Sequence, residues 1–106
     1  MANQNLRECI DACQSCETEC TICASNCIGR SEMAECAKLC LDCASICNLC
    51  ATFCANGSAY ANQAAQLCAD ICEACAQECE KYDDKQMKQC AASCRKCAEM
   101  CSKMAA

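Results

Sequence analysis

The stretch 36–54 reads CAKLCLDCASICNLCATFC and places its six cysteines at intervals of 4, 3, 4, 3 and 4 residues. Residues three and four apart lie on one face of an α-helix, so this spacing predicts a helix with thiols along one stripe. The same intervals recur in 9–27, and intervals of 4, 3 and 4 recur in 68–79 and 90–101. In an ordinary helix bundle Leu and Ile occupy such core-facing positions, and here cysteine replaces them.

The pattern predicts an all-α fold, an antiparallel up-down-up-down four-helix bundle with a thiol-lined core. The chain has 106 residues, with 2 Gly and no Pro, which suits one helical domain over 1–106. We expect helices from about 5 to 28, from 31 or 32 to 55, from 58 to 81, and from just after 83 to 104. The predicted N-caps are Asn5 with Glu8, Ser31, and Asp83 with Gln86, and the predicted glycines after helix ends are Gly29 and Gly57.

Ordinary apolar residues flank the thiol stripe. We expect them to pack helix against helix beside the thiols, or to form an oligomer interface. They are Ile10, Ile22, Leu39, Ile46, Leu49, Leu67 and Ile71.

Composition excludes several classes of function. The net charge is −5 without a basic patch, and 3% of residues are aromatic, so we expect no nucleic-acid partner. Apolar runs are short, so we expect no membrane span. Histidine is absent, which removes Cys–His nucleophile pairs and the usual zinc catalytic sets, so we expect no enzyme. The first residues, MANQNLRECIDAC, lack an export signal, so we expect a cytosolic protein with reduced thiols.

The 20 cysteines divide into ten CxxxC pairs with none left over. The Cβ atoms of such a pair lie about 5–6 Å apart on one helix face, so two thiolates can hold one small cation between them. Soft thiolate ligands select Cu(I), zinc or iron–sulfur clusters. The candidate metal ligands are Cys9, Cys13, Cys16, Cys20, Cys23, Cys27, Cys36, Cys40, Cys43, Cys47, Cys50, Cys54, Cys68, Cys72, Cys75, Cys79, Cys90, Cys94, Cys97 and Cys101.

Charge balance favours multiple Cu(I) ions among these metals. Twenty thiolates with about twenty Cu(I) ions are neutral, whereas about five separate four-thiolate zinc sites would leave a net charge of roughly −10 in the core. The compact loop motifs of iron–sulfur ferredoxins are absent from the sequence. Zinc or iron–sulfur binding remains an alternative, as does a metal-free thiol redox buffer. Disulfides and inert buried cysteines explain the regular stripe less well.

Methionines extend the thiol stripes. Met33 and Met87 each stand one step before a cysteine run, and Met104 stands one step after the last run. In an antiparallel bundle Met33 and Met87 would share one end, with Tyr82 nearby. They could pass Cu(I) to the thiolates, or they could simply fill the end of the bundle.

The cysteine pattern resembles that of the bacterial copper storage proteins over essentially the whole chain. The stretch 67–106, LCADICEACAQECEKYDDKQMKQCAASCRKCAEMCSKMAA, is especially similar. The resemblance is to the cytosolic class and implies a tetramer that stores and detoxifies Cu(I), bound mainly by CxxxC pairs of the 20 cysteines. Copper chaperones or efflux proteins are the implied exchange partners. Members of the family carry histidine before the fourth helix, whereas residues 80–87 here read EKYDDKQM, so Met33 and Met87 are the predicted substitutes.

Overall fold

Four α-helices account for most of the chain in the computed structural model, which describes residues 2–105. The first connection contains a short 3₁₀ turn at Ser31–Met33. The helices are α1 (Ala2–Asn26), α2 (Ala34–Asn56), α3 (Ala61–Cys79) and α4 (Lys85–Ala105). The predicted all-α four-helix class is confirmed.

The helices form a closed ring in chain order. Helix α1 packs on α2 and α4, and α3 packs on the same two neighbours. Because the connections are short, consecutive helices run in opposite directions. The bundle measures 42 × 18 × 17 Å. Each of the four thiol stripes therefore faces one central axis.

The end of α2 follows the prediction closely. Gly57 adopts a left-handed conformation with φ of 70°. Its N–H donates to the carbonyl of Cys54 at 3.4 Å, and the N–H of Ser58 donates to the carbonyl of Phe53 at 2.9 Å. These two bonds form a Schellman motif, which satisfies carbonyls that the helix end would otherwise leave free.

The predicted start of α4 is wrong by one residue. Asp84 supplies the cap, because its Oδ1 accepts from the N–H of Met87 at 3.1 Å. Asp83 instead forms an exposed ion pair with Nζ of Lys88 at 2.9 Å. Adjacent aspartates offer the same capping chemistry, so the sequence alone could not choose between them.

The other predicted helix starts are also displaced. Helix α1 begins upstream of Asn5, which places Asn5 and Glu8 within the helix. Ser31 opens the 3₁₀ turn, and α2 then starts without a side-chain cap. Ser58 lies in the turn before α3, where its hydroxyl accepts from the N–H of Tyr60 at 3.0 Å. In each case a local turn or the preceding chain replaces the expected cap.

The core consists mainly of cysteine and alanine. All 20 cysteines are buried, and the most exposed of them, Cys27, is 3% accessible. No charged or polar side chain is buried in the part of the chain that the structure describes. The described core therefore contains sulfur and apolar groups, and none of its side chains offers an oxygen or nitrogen ligand.

The flanking apolar residues divide into two sets. Ile46 is buried, and Ile10, Leu39 and Ile71 pack partly buried against the core, as the sequence predicted. By contrast, Ile22, Leu49 and Leu67 are 42%, 42% and 50% exposed, so a large part of each side chain is open to solvent.

The segment Ser31–Asn56 has the length and hydropathy of a membrane-spanning helix, with a mean hydropathy of 1.4. We expected no such segment, because the uninterrupted apolar runs are short. Its six cysteines raise the hydropathy, and all of them face the interior of the bundle. The apolar character of this helix is therefore largely that of the protein core.

Candidate metal centre

The thiols form one column of sulfur along the bundle axis. Helical geometry puts residues three and four apart on the same face, and the ring of helices turns the four stripes toward each other. At the centre, the Sγ of Cys43 lies 3.5 Å from that of Cys72, 3.7 Å from that of Cys16 and 3.9 Å from that of Cys94. One thiol of α2 thus contacts all three other helices.

The column continues toward both ends. Toward the start of α1, the Sγ of Cys101 lies 3.6 Å from that of Cys9 and 3.7 Å from that of Cys13. Toward the start of α2, the Sγ atoms of Cys36 and Cys79 are 3.7 Å apart. All 20 cysteines are free thiols, so these are van der Waals and weak hydrogen-bonding contacts.

Sulfur–sulfur contacts between different helices outnumber those within CxxxC pairs. Sequence spacing could not reveal these contacts between helices. Within pairs, sulfur atoms meet at 3.9 Å in Cys16–Cys20, 3.9 Å in Cys68–Cys72 and 3.8 Å in Cys97–Cys101. Most other contacting sulfurs belong to different helices. An ion bound by one CxxxC pair would therefore have thiols of facing helices within reach.

Several groups of four thiols converge closely enough to hold a metal ion. The four Sγ atoms of each group lie within 4.8 Å of one another, and every member is buried. The groups include Cys9–Cys13–Cys50–Cys101, Cys13–Cys68–Cys97–Cys101, Cys16–Cys43–Cys47–Cys72, Cys16–Cys20–Cys43–Cys94 and Cys20–Cys40–Cys75–Cys90. Some groups share members, and Cys47 lies 3.8 Å from both Cys68 and Cys97, so the column is continuous rather than a set of isolated sites.

Burial keeps the outer thiols protonated. Loss of hydration raises the pKa of Cys36 to about 12 and the pKa of Cys54 to about 11. Within the column, a hydrogen bond with Cys101 lowers the pKa of Cys13 to about 6, while the same contact raises the pKa of Cys101. A metal that binds thiolate must displace protons from such a network.

Met33 and Met87 lie buried at the end of the bundle where α2 and α4 begin, with exposures of 4% and 2%. Tyr82 lies at the same end, and its hydroxyl is 3.3 Å from the carbonyl oxygen of Glu32 and 3.2 Å from Oε2 of Glu78. This placement agrees with the sequence prediction. Met104 is only partly buried and lies at the opposite end.

Sequence reasoning missed two features of the surroundings. Met100 is 6% exposed although it lies off the thiol stripe. Arg95 of α4 pairs with Glu73 of α3 and with Glu80, the residue after the end of α3, because Nη1 lies 2.8 Å from Glu73 and Nη2 lies 2.8 Å from Glu80. Opposite charges on neighbouring helices signal such pairs only once the helix order is known.

A four-helix bundle with a continuous column of reduced, buried thiols defines a class of multinuclear metal–thiolate proteins. The sequence model of the copper storage protein family matches residues 2–106. The chain belongs to this family.

Individual relatives agree with this assignment. The Cu(I)-bound copper storage protein BsCsp3 of Bacillus subtilis shares 37% identity and superimposes with a TM-score of 0.92, covering 96% of this chain and 99% of that chain. A cytosolic copper storage protein from Streptomyces lividans, with five coppers, shares 26% identity with a TM-score of 0.93, covering 98% and 94%. The cysteine-rich protein YhjQ of Bacillus subtilis is 40% identical over 78 residues, which are 71% of this chain and 72% of that protein.

Proposed function

We propose that this protein stores and detoxifies Cu(I), which it holds as cargo on its 20 cysteines inside the bundle. The observation that carries the proposal is the unbroken column of buried sulfur, with no buried polar or charged side chain among the residues that the structure describes. Soft thiolates bind Cu(I) strongly, and the column offers no hard ligand for Mg(II) or Ca(II). The role is storage without catalysis.

Each CxxxC pair supplies the basic two-thiolate unit, and thiols of the facing helices link these units into clusters. One Cu(I) replaces one thiol proton, so filling at about one ion per thiol leaves the core neutral. A buried excess charge costs several kcal/mol per ion even after relaxation. Neutrality therefore favours a capacity close to the number of thiols.

Cu(I) enters at the end that holds Met33 and Met87. Both thioethers continue the thiol stripes of α2 and α4, next to Cys36 and Cys90. Thioethers bind Cu(I) without losing a proton, so they can receive an ion before any thiol ionises. Replacing both methionines with leucine should slow uptake while leaving the final capacity unchanged.

The protein works in the cytosol as a tetramer and exchanges Cu(I) with copper chaperones or efflux proteins. The free thiols suit a reducing compartment, and the related Streptomyces lividans protein is described as cytosolic. The exposed Ile22, Leu49 and Leu67 are available to contact other subunits. Sedimentation of the full chain tests the tetramer.

An anaerobic titration of the fully reduced protein with Cu(I), against a competing chelator, tests the storage role directly. Native mass spectrometry of the same samples counts the bound ions, and the intact mass shows whether each ion displaces one proton. We expect tight uptake of nearly one Cu(I) per thiol. Saturation at a few ions, or preference for zinc in a parallel titration, would contradict the proposal.

A further inference from the structure

We propose that Cys20, Cys40, Cys75 and Cys90 form a distinct site for one divalent soft cation, Zn(II) or Cd(II), within this bundle. The four Sγ atoms lie within 4.8 Å of one another and all four side chains are buried. Each helix contributes one thiol to this group. The other four-thiol groups described above each take two thiols from a single helix.

Two of the six sulfur–sulfur distances in this group already suit tetrahedral coordination, and the other four lie within 4.8 Å. A zinc–sulfur bond of about 2.3 Å gives an edge of about 3.8 Å between two sulfurs of a tetrahedral four-thiolate site. The Sγ atoms of Cys20 and Cys90 are 3.7 Å apart, and those of Cys40 and Cys75 are also 3.7 Å apart. A straight two-coordinate arrangement with bonds of the same length would need about 4.6 Å. Within these two pairs, four-coordinate binding therefore needs less movement than two-coordinate binding.

Charge limits how often such a site can be filled. One divalent ion on four thiolates leaves a net charge of −2 in the core, and every further ion of this kind adds the same excess. Because uncompensated buried charge is costly, divalent binding should be strong for one equivalent and weak for those that follow. Neutral filling with Cu(I) has no such limit, so the two kinds of metal should differ in stoichiometry.

A bound divalent ion would join all four helices at one level of the bundle. Ligand binding to the folded state alone stabilises it, so one equivalent of Zn(II) should raise the unfolding temperature of the metal-free protein. Cu(I) in excess should later displace the divalent ion, because both need the same thiolates. The site therefore differs from the Cu(I) sites in the charge of the ion that it binds, although its four thiols also serve as Cu(I) ligands.

Anaerobic titration of the reduced, metal-free full chain with Co(II), followed by displacement with Zn(II), tests the site. The intensity of thiolate-to-cobalt charge transfer counts the sulfur ligands, and the visible bands report tetrahedral geometry. Wild type should bind one tight equivalent with four thiolates. Cys75→Ala should weaken Zn(II) binding by more than about 100-fold, beyond what loss of an outer-shell partner costs. Ile46→Val, which trims a buried side chain without removing sulfur, should bind like wild type.

Fewer than four thiolates in the first equivalent, or unchanged Zn(II) affinity in Cys75→Ala, would overturn the inference. Circular dichroism checks that the variant remains helical, and Cys90→Ala repeats the test on another helix. Measuring Cu(I) capacity on the same samples separates the two proposals. Normal Cu(I) uptake with no tetrahedral divalent site would remove this inference and leave the storage role intact.

Discussion

Replacing Cys43 and Cys47 with alanine should lower the Cu(I) capacity by about two ions. This CxxxC pair lies at the middle of α2, and its sulfurs contact thiols of all three other helices at 3.5–4.0 Å. With one ion per thiol, loss of two of 20 thiols removes about a tenth of the capacity. Deleting two small buried groups should cost about 1 kcal/mol each, so the metal-free variant should stay helical.

The assay is an anaerobic chelator competition with native mass spectrometry on the double variant, with Ile46→Val as the control for packing. Ile46 lies between the two cysteines in sequence and is buried without offering a ligand. Unchanged capacity would refute direct ligation by this pair. A loss of many more than two ions would refute the assumption that each thiol binds one ion independently. It would mean that the five thiols in contact with this pair also lose their ions when the pair is removed.

Three further results are expected. Cys36 and Cys54 should stabilise the reduced, metal-free protein below pH 9, and this contribution should be lost as the pH rises toward about 12, because burial raises their pKa above the ordinary 9.0 and the unfolded chain releases these protons first. A urea midpoint that does not fall over that window would contradict this. Gly57→Ala should lower the free energy of unfolding in urea by about 1 kcal/mol. Gly57 has a φ of 70°, which strains any residue with a side chain, whereas nothing lies within 4 Å of an added Cβ. The Cu(I) capacity of this variant should not change. Arg95→Ala should lower the melting temperature only at low salt, because its ion pairs with Glu73 and Glu80 are exposed. An equal loss at high salt would indicate a packing role.

The periodicity of cysteine predicts the fold class and the helix faces well, because one residue type marks the core at every turn. It predicts helix starts poorly, since several capping residues compete at each end. Asp83 and Asp84 illustrate this: both could cap α4, and only the folded connection decides that Asp84 does so. Boundaries depend on local hydrogen bonds that periodicity does not encode.

The sequence predicted that all 20 cysteines lie on the core-facing stripes, and all of them are buried, but it did not predict which thiols contact each other. Sequence spacing pairs Cys16 with Cys20, whereas the structure also brings Cys16 to 3.7 Å from both Cys43 and Cys94. Contacts between helices depend on how far each helix is shifted along the bundle axis relative to its neighbours. The connections and the alanines packed between the helices determine this shift. The exposure of Ile22 and Leu67 is likewise a result of helix rotation, which a broad apolar face leaves undetermined.

The close packing of sulfur has a mechanical consequence. Sulfur atoms 3.5–4.0 Å apart are in contact, and a tetrahedral four-thiolate site with bonds of about 2.3 Å also needs sulfurs about 3.8 Å apart. The column therefore has close to the spacing that bound ions require, and ions can enter with small movements of the cysteine side chains. Little binding free energy is then lost to rearranging the helices, and the cross-section should stay near 18 × 17 Å. Loading should resemble the filling of interstitial holes in a close-packed solid, and small-angle scattering should show the same radius before and after Cu(I) is added.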